Sequence, residues 1–239
     1  GDSISMIFQE PNAALNPIMS IGDQVSESFL FHRKGEMCKK INEDLNAPDC
    51  RTFYPLKKVL QSLYRIGENK PDAGLLKLMG RIPILKRWDK RLRQEALRRS
   101  IEIIEKLGIA NAAEIVKRYP HNLSGGMKQR IVIAIALACN PILLIADEAT
   151  SNLDVTIQAQ ILDLMNKLKN ETGASILFIT HDLGVIAEMA QNVAVMYAGK
   201  IMEYTDVKTI YANPKNPYTI GLLQSIPVLG RETKEVRLK

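Results

Sequence analysis

Residues 142–148 read ILLIADE, a short apolar run that ends in two adjacent carboxylates. Such a run is typical of a central strand in a parallel sheet, which is buried on both faces. In open α/β sheets, ligands bind beyond the carboxyl ends of the strands. The run therefore predicts a strand that carries Asp147 and Glu148 to a functional site.

Strand and helix patterns alternate along the rest of the chain. SISMIF at residues 3–8 and ASILFI at 174–179 are further apolar runs, each followed by polar residues, and we expect both to be buried strands. Apolar residues recur at helical spacing over 88–107, 127–139 and 157–168. This alternation predicts an α/β fold with a parallel sheet.

The composition is that of an ordinary globular protein, with 46% hydrophobic and 24% charged residues. The longest apolar runs, such as residues 131–139, are well short of the roughly 20 residues that span a bilayer. The three cysteines, Cys38, Cys50 and Cys139, show no metal-ligand spacing. Reduced thiols are therefore favoured over a disulfide framework or a cysteine metal site.

Positive charge is concentrated in one segment. Between Arg33 and Arg99 there are 18 Lys/Arg and 8 Asp/Glu, a net charge of +10, while the rest of the chain has 14 and 18, a net charge of −4. From about Gly35 to Pro83 the apolar spacing is poor, which predicts an irregular or loosely helical insert. The charge indicates a solvated helical face, or attraction to anionic lipid or an acidic partner. Few aromatic side chains are present to stack on nucleic-acid bases.

Polar residues that end the strand patterns can carry out phosphate chemistry. Asp147 and Glu148 point to opposite sides of their strand, so one can organise Mg²⁺ while the other accepts a proton from an attacking water. An ordinary acidic loop after a strand is the alternative. His181 follows the 174–179 run and can donate an N–H to a phosphate oxygen, or merely cap a helix beside Asp182.

The stretch HNLSGGMKQR at residues 121–130 leads into an apolar helix pattern. Backbone N–H groups at such a helix start bind anions, which makes a phosphate the expected ligand. However, the 239 residues contain no G-x-x-x-x-G-K-[ST] loop. The only Gly-Lys pair, Gly199-Lys200, lies where residues 192–204 predict a β-hairpin.

Taken together, the motifs resemble those of one known family. Gln9 at a strand end, LSGGMKQR, LLIADEAT, SNLD and ITHD follow one another in the order of the ATP-binding-cassette (ABC) ATPases. The resemblance covers nearly the whole chain apart from residues 35 to about 88. It implies an α/β, RecA-like P-loop ATPase core with a parallel sheet, and an α-helical lobe that carries an insertion. The N-terminal part of the core is expected to be missing.

The resemblance implies catalytic and metal-binding roles for four residues. Gln9 is similar to the Q-loop glutamine, which contacts Mg²⁺ or the attacking water. Asp147 and Glu148 are similar to the Walker B pair, with Asp147 as a Mg²⁺ ligand and Glu148 as a catalytic residue. His181 is similar to the switch histidine, a catalytic residue at the γ-phosphate.

The nucleotide-binding residues implied by the same resemblance lie around the Ser-Gly-Gly stretch and the SNLD motif. Ser124, Gly125 and Gly126 are similar to the signature motif that one ATPase subunit offers to the ATP of another. Gln129 and Asp154, the latter similar to the D-loop aspartate, are expected to join them at the nucleotide. ATP and Mg²⁺ are the implied cofactors.

Four parts of the chain follow from the resemblance. Residues 1–32 hold the Q-loop strand and the start of the helical lobe. Residues 33–122 form the α-helical subdomain, whose basic insertion at about 35–88 has no counterpart that we recognise from sequence. Residues 123–205 form the catalytic core, and 206–239 an importer-type tail.

The tail, residues 206–239, indicates which group within the family the chain resembles. NPKNPYTIGLLQSIP at residues 213–227 is similar to the ATPase subunits of oligopeptide, dipeptide and nickel importers, although Asn216 stands where that group has His. Ala149 likewise stands where the family usually has Pro. The implied function is an ATP-hydrolysing subunit on the cytoplasmic face of the cell membrane. Its partners are permease subunits, a second ABC ATPase subunit and, indirectly, an extracytoplasmic substrate-binding protein, but no nucleic acid.

The absent phosphate loop leaves other functions open. Because the chain begins at Gly1 within a strand pattern, we interpret it as a fragment and expect these 239 residues alone to hydrolyse little ATP. If the loop is naturally absent, a catalytically silent regulatory or interaction module is the alternative. A DNA-repair-type ABC ATPase is less favoured, since the insert shows neither heptads nor a cysteine cluster.

Overall fold

The computed structural model describes residues 3–47, 54–69, 86–151 and 153–225. The chain divides into a first unit, Gly1–Leu177, and a second unit, Phe178–Lys239. Within the described ranges, no helix is both long and apolar enough to cross a membrane.

The first unit combines a small sheet with helices. Its strands are β1 (Ile4–Ile7) and β2 (Leu143–Asp147), and β3 (Ser175–Ile179) spans the boundary with the second unit. Its helices are α1 (Pro11–Ala14), α2 (Ile21–His32), α3 (Lys34–Asn46), α4 (Tyr54–Asn69), α5 (Lys86–Lys106), α6 (Ala112–Ile115), α7 (Gly125–Leu137) and α8 (Val155–Thr172), with a 3₁₀ turn at Pro120–Asn122.

The strand predicted from ILLIADE lies in the middle of the sheet, whose order is β1-β2-β3. β1 and β2 are parallel, with Ile7 opposite Ala146, so the predicted parallel sheet is confirmed. The Ser175 N–H donates to the Ile142 oxygen at 2.9 Å, where β3 begins. Because parallel strands end at the same edge, the residues that follow Ile7 lie next to those that follow Ala146.

The flanking strands are less buried than their apolar sequences predict. In β1, Ile7 is buried, whereas Ile4 and Met6 are 54% and 37% exposed. Leu177 and Ile179 of β3 are about half exposed. Alternate residues of a strand point to opposite faces, so one face of each outer strand is packed and the other is open within the described residues. The prediction of fully buried outer strands was therefore wrong for this part of the chain.

The described part of the basic interval is mainly helical. α3 buries Met37, Cys38, Ile41 and Leu45, which recur at helical spacing although lysines and acids separate them. α3 packs against α4, and α5 packs against α2. The predicted irregular insert is thus regular where it is described, while residues 48–53 and 70–85 lie outside the described residues.

Buried polar contacts fix the helices of this lobe. Ser26 Oγ and Ser100 Oγ are 3.0 Å apart between α2 and α5, and the Tyr64 hydroxyl donates to the Trp88 oxygen at 3.0 Å. Gly22 donates its N–H to the Val116 oxygen at 2.8 Å. A Cβ at position 22 would lie 2.8 Å from that same oxygen, so this close approach requires glycine.

Part of the positive charge of the lobe is neutralised within it. Glu95 is 8% exposed and accepts hydrogen bonds from Arg98 at 2.7 Å and from Arg99 at 3.0 Å. Burial raises the pKa of Glu95, but the hydrogen bonds from the two arginines outweigh it and hold that pKa below its usual value. The paired charges indicate a structural role for this part of the basic segment.

Replacing Glu95 by Gln is expected to lower the free energy of unfolding at pH 7 by about 1–3 kcal/mol, because the part-buried hydrogen bonds from Arg98 and Arg99 lose a charged acceptor. A carboxyl whose pKa is depressed by folding stabilises the protein above its unfolded pKa, and that contribution is lost as the pH falls. Urea denaturation of both proteins should therefore show a difference at pH 7 that shrinks below about pH 4.5. A difference that stays constant with pH would contradict the charged contact.

Over its described residues, 178–225, the second unit contains a hairpin and three short helices. β4 (Asn192–Tyr197) pairs with β5 (Lys200–Asp206), and the helices are α9 (Leu183–Met189), α10 (Val207–Ala212) and α11 (Pro217–Gln224). Val193, Val195 and Ile210 form its core. The predicted hairpin is present, but its turn residues are Ala198 and Gly199, both with positive φ, so the turn lies one residue before the predicted Gly199-Lys200.

Asn216 is explained by its local contacts. Its Oδ1 accepts from the Tyr218 N–H at 2.9 Å and caps α11, while its Nδ2 donates to the Met202 oxygen at 3.1 Å. The Glu203 carboxylate accepts the Lys215 and Asn216 N–H groups at 2.8 and 3.1 Å. An asparagine therefore connects β5 to the start of α11 and satisfies two backbone groups.

Candidate functional site

The ends of β1 and β2 bring together two of the predicted site residues. Gln9 lies two residues after β1 and Glu148 directly after β2. The Gln9 Nε2 donates to the Glu148 Oε2 at 2.6 Å, although 139 positions separate them in the sequence. The parallel pairing of the strands produces this contact, since both chains leave the sheet at the same edge.

The backbone turns sharply at Glu148. Its φ of 44° is left-handed, a conformation that is uncommon for residues other than glycine, asparagine and aspartate. Such strain persists only where surrounding contacts hold it. The Ser151 N–H and the Ser151 Oγ both donate to the backbone carbonyl oxygen of Glu148 at 2.9 Å, which closes the turn from within.

Gln129 holds the same turn from outside. Its side chain is 2% exposed on α7, and its Nε2 donates to the Ala149 oxygen at 2.6 Å. The amide is therefore enclosed and paired within the protein, which does not fit the predicted contact with a nucleotide.

The Ser-Gly-Gly stretch forms the N-terminus of α7, a helix of 13 residues. Ser124 is the exposed N-cap residue, and its Oγ accepts from the Met127 N–H at 3.4 Å. A Cβ at Gly125 would meet nothing within 4 Å, whereas one at Gly126 would lie 3.0 Å from the Ile157 Cγ2. The first helical N–H groups are thus presented at the surface, with α8 close behind them.

Asp154 begins the neighbouring helix. Its Oδ1 accepts from the Ile157 N–H at 2.9 Å as the N-cap of α8, and the residue is exposed. Arg130 connects α8 with the helical lobe, because its guanidinium donates to Gln160 Oε1 and to the Leu107 oxygen, both at 2.7 Å. The helix starts that carry Ser124 and Asp154 are therefore fixed relative to each other within the first unit.

His181 lies two residues after β3, in the second unit, with an exposed side chain. The capping role there belongs to its neighbour, because Asp182 Oδ1 accepts the Gly184 and Val185 N–H groups at 2.8 and 3.4 Å. The Tyr211 hydroxyl donates to the Leu183 oxygen at 2.5 Å and holds the same helix start. His181 thus occupies the predicted position after a strand without serving as the helix cap.

Asp147 has the chemistry of a magnesium ligand. It is the last residue of β2 and is half-buried. Mg²⁺ usually takes one or two carboxylates, several waters and the phosphates of the substrate. The described ranges contain no group of three or more His, Cys, Asp or Glu that could enclose a metal. Asp147 supplies one such carboxylate at the carboxyl end of β2.

Comparison with family models identifies the chain. A model described as ABC transporter matches residues 1–151, which is more than half of the sequence. This chain belongs to the ABC transporter family. A second model, the oligopeptide/dipeptide transporter C-terminal region, matches residues 202–239 of this ABC chain. The resemblance predicted from LSGGMKQR, LLIADEAT and the tail is thereby confirmed.

Several named relatives align with this ABC chain almost from end to end. BMEII0863 of Brucella melitensis biotype 1 is 43% identical over 237 residues, which cover 99% of this chain and 54% of that protein. The oligopeptide transport ATP-binding protein AppD of Bacillus subtilis is 40% identical, covering 97% and 54%. The dipeptide transport ATP-binding protein DppD of Lactococcus lactis is 42% identical, covering 96% and 50%. The chain spans about half the length of these relatives, and the first alignment extends through residues 35–88.

Solved structures confirm the fold of this ABC chain. The ATP-binding cassette MJ0796, in a dimeric post-hydrolysis state with ADP and Pi, superposes with a TM-score of 0.53 at 22% identity, covering 86% of this chain and 63% of that one. CbiO1 of Clostridium perfringens gives a TM-score of 0.54 at 22% identity, covering 89% and 60%. At this identity, the likeness supports the predicted ABC-type α/β fold alone.

Two residues that the motifs do not predict shape the site without reacting. Ser151 and Ala149 carry the hydrogen bonds that hold the Glu148 turn. The signal for Ser151 is local, since a serine three residues after a strand-end acid is a common turn partner. The Ala149 contact depends on a side chain 20 positions away, which local sequence patterns do not show.

Proposed function

We propose that this chain is the ATP-hydrolysing part of an ABC importer for oligopeptides or dipeptides. The Gln9–Glu148 contact carries the proposal, because it places an amide and a carboxylate together at the sheet edge where phosphate ligands bind. The match of residues 202–239 to a peptide-transporter region and the names of AppD and DppD support peptides over nickel as the transported class.

Glu148 is the proposed general base. A carboxylate that accepts the proton of the attacking water raises the rate of hydrolysis. Gln9, which donates to that carboxylate, can orient the carboxylate or the water. Asp147, the residue before Glu148, would hold Mg²⁺, which would neutralise phosphate charge. His181 donates an N–H to the γ-phosphate in this proposal.

Ser124, Gly125 and Gly126 serve a second subunit in this mechanism. The exposed N-terminus of α7 supplies N–H donors and the positive end of a helix dipole to an anion. We propose that this anion is the γ-phosphate of ATP bound mainly by the partner ATPase subunit, identical or related, with Asp154 at the same interface. The pair then acts on permease subunits at the cytoplasmic face of the cell membrane.

Uptake measurements test the transport function. Deleting the gene is expected to abolish accumulation of a labelled di- or oligopeptide, while uptake of labelled Ni²⁺ continues at its former rate. The wild-type gene should restore peptide uptake, and a Glu148→Gln gene should not. Normal peptide uptake in the deletion strain would refute the peptide importer. Full restoration by the Glu148→Gln gene would favour a catalytically silent module instead.

A further inference from the structure

The side chain of Gln129 joins two parts of the site that have separate tasks. It lies one turn into α7, the helix whose start carries Ser124. Its amide reaches the oxygen of Ala149, the residue directly after Glu148, at 2.6 Å. A single short hydrogen bond therefore connects the helix proposed to face a partner's nucleotide with the backbone directly after the proposed base.

The Glu148 turn needs support from another element. A left-handed residue other than glycine is strained and persists only where neighbouring contacts hold it, and the two Ser151 contacts arise inside the turn itself. Gln129 is a donor from α7, and it is almost fully buried. A buried carbonyl that loses its donor is costly, so the turn keeps this partner or rearranges.

The position of Gln129 is itself fixed. The next residue, Arg130, donates to the Leu107 oxygen at the end of the helical lobe and to Gln160 on α8. Lys128, the residue before, donates to Asn12 Oδ1 at 2.9 Å. Three consecutive side chains thus attach α7 to four other segments, namely α1, the turn after β2, the residue after α5, and α8, which makes it a rigid support.

We propose that Gln129 is a positioning residue for ATP hydrolysis. It does not contact the nucleotide. Its amide holds the Ala149 carbonyl so that the Glu148 carboxylate stays where it receives the proton of the attacking water, and it ties that placement to the helix presented to the partner subunit. This inference rests on the proposed function of Glu148.

The test uses the complete natural protein with its permease in lipid nanodiscs. Gln129→Leu keeps a similar volume and removes the donor. We expect kcat for ATP to fall by roughly 10- to 100-fold, since displacement of a reacting group by about 1 Å has effects of that order. The affinity for ATP, measured with a fluorescent analogue, should change by less than about threefold, because Kd reports binding and not placement of the base.

Gln61→Leu is the matched control, because Gln61 also donates through its Nε2, to Asn46 Oδ1 at 2.7 Å, but at an exposed site on α4. It should retain the wild-type kcat.

A second variant, Gln129→Glu, covers the case in which Gln129→Leu does not fold. Burial raises the pKa of a carboxyl, and this one can donate to Ala149 only when protonated. Its kcat should therefore fall as the pH rises, over a range where the wild type shows no such loss.

If Gln129 acts by positioning Glu148, the effects of Gln129→Leu and Glu148→Gln on ATP hydrolysis should not add. In a Glu148→Gln background, the residual single-turnover hydrolysis should not fall further when Gln129→Leu is added, because the group that was being positioned is already gone. Parallel loss of ATP affinity and kcat, or a full additional loss in that background, would overturn the inference. Unchanged kcat in Gln129→Leu, with a strong effect of Glu148→Gln, would reject the positioning role of Gln129 and leave the proposed role of Glu148 intact. No effect of Glu148→Gln would reject the proposed function itself.

Discussion

Glu148→Gln is expected to lower ATP hydrolysis by about 10²-fold or more while ATP stays bound. The amide preserves the shape of the side chain but cannot take a proton from water. It can still pair with Gln9 through its own oxygen, so the contact at the edge of β1 and β2 should survive. Steady-state phosphate release and equilibrium nucleotide binding on the complete protein would measure both parts of the expectation.

Glu171→Gln gives the matching control for that change. Glu171 is exposed near the end of α8, away from the sheet edge, and the same loss of charge there should leave the rate unaltered. A Glu148→Gln protein that turned over ATP at the wild-type rate would show that another group accepts the proton. Loss of nucleotide binding together with hydrolysis would instead indicate a role for Glu148 in holding the Mg²⁺–nucleotide complex.

Ser124→Arg is expected to reduce hydrolysis by a comparable factor, about 10²-fold, through a different cause. The substitution removes an N-cap and places a long side chain at the exposed start of α7, where the partner's phosphate would sit. Because Ser124 is exposed, the fold should lose only about 1 kcal/mol of stability from the missing cap. Binding of ATP to a single subunit should therefore persist, while ATP-dependent pairing of subunits should be lost.

Size-exclusion chromatography with ATP, in a Glu148→Gln background that retains nucleotide, would detect that loss of pairing. Ser62→Arg is a suitable control, since Ser62 is an exposed residue of α4 and receives the same charge and bulk. Equal loss of single-subunit ATP binding and of pairing in Ser124→Arg would mean that the start of α7 binds the ATP of its own subunit. Normal pairing would remove Ser124 from the interface.

The central strand and its carboxylates could be predicted from sequence because their signals are local. ILLIA is apolar without interruption, and the acids follow at once, so both β2 and the position of Asp147 and Glu148 were identified. Helix α5, Lys86–Lys106, was also predicted, because apolar residues recur at helical spacing over 88–107. The family, now confirmed, could be predicted from the order of the motifs, because their residues are set by the chemistry of the site more than by packing.

Other features depend on contacts between distant segments. The exposed face of β1 cannot be distinguished from a buried one by residue type, because Ile4, Met6 and Ile7 are all apolar. The regular helix α3 was obscured by charged residues between its buried positions. The Gln129–Ala149 hydrogen bond requires the direction of one side chain relative to a turn 20 positions later, and no periodicity encodes that direction.

The left-handed backbone at Glu148 also bears on how such a site can evolve. Glycine or asparagine would fit a φ of 44° with less strain than glutamate does, yet neither supplies the carboxylate in the same place. Selection for stability alone therefore acts against the residue on which the proposed hydrolysis depends. If Glu148 is the base, the need for its carboxylate offsets the strain of its backbone, and a copy of this chain that did not hydrolyse ATP would be free to exchange it for glycine or asparagine.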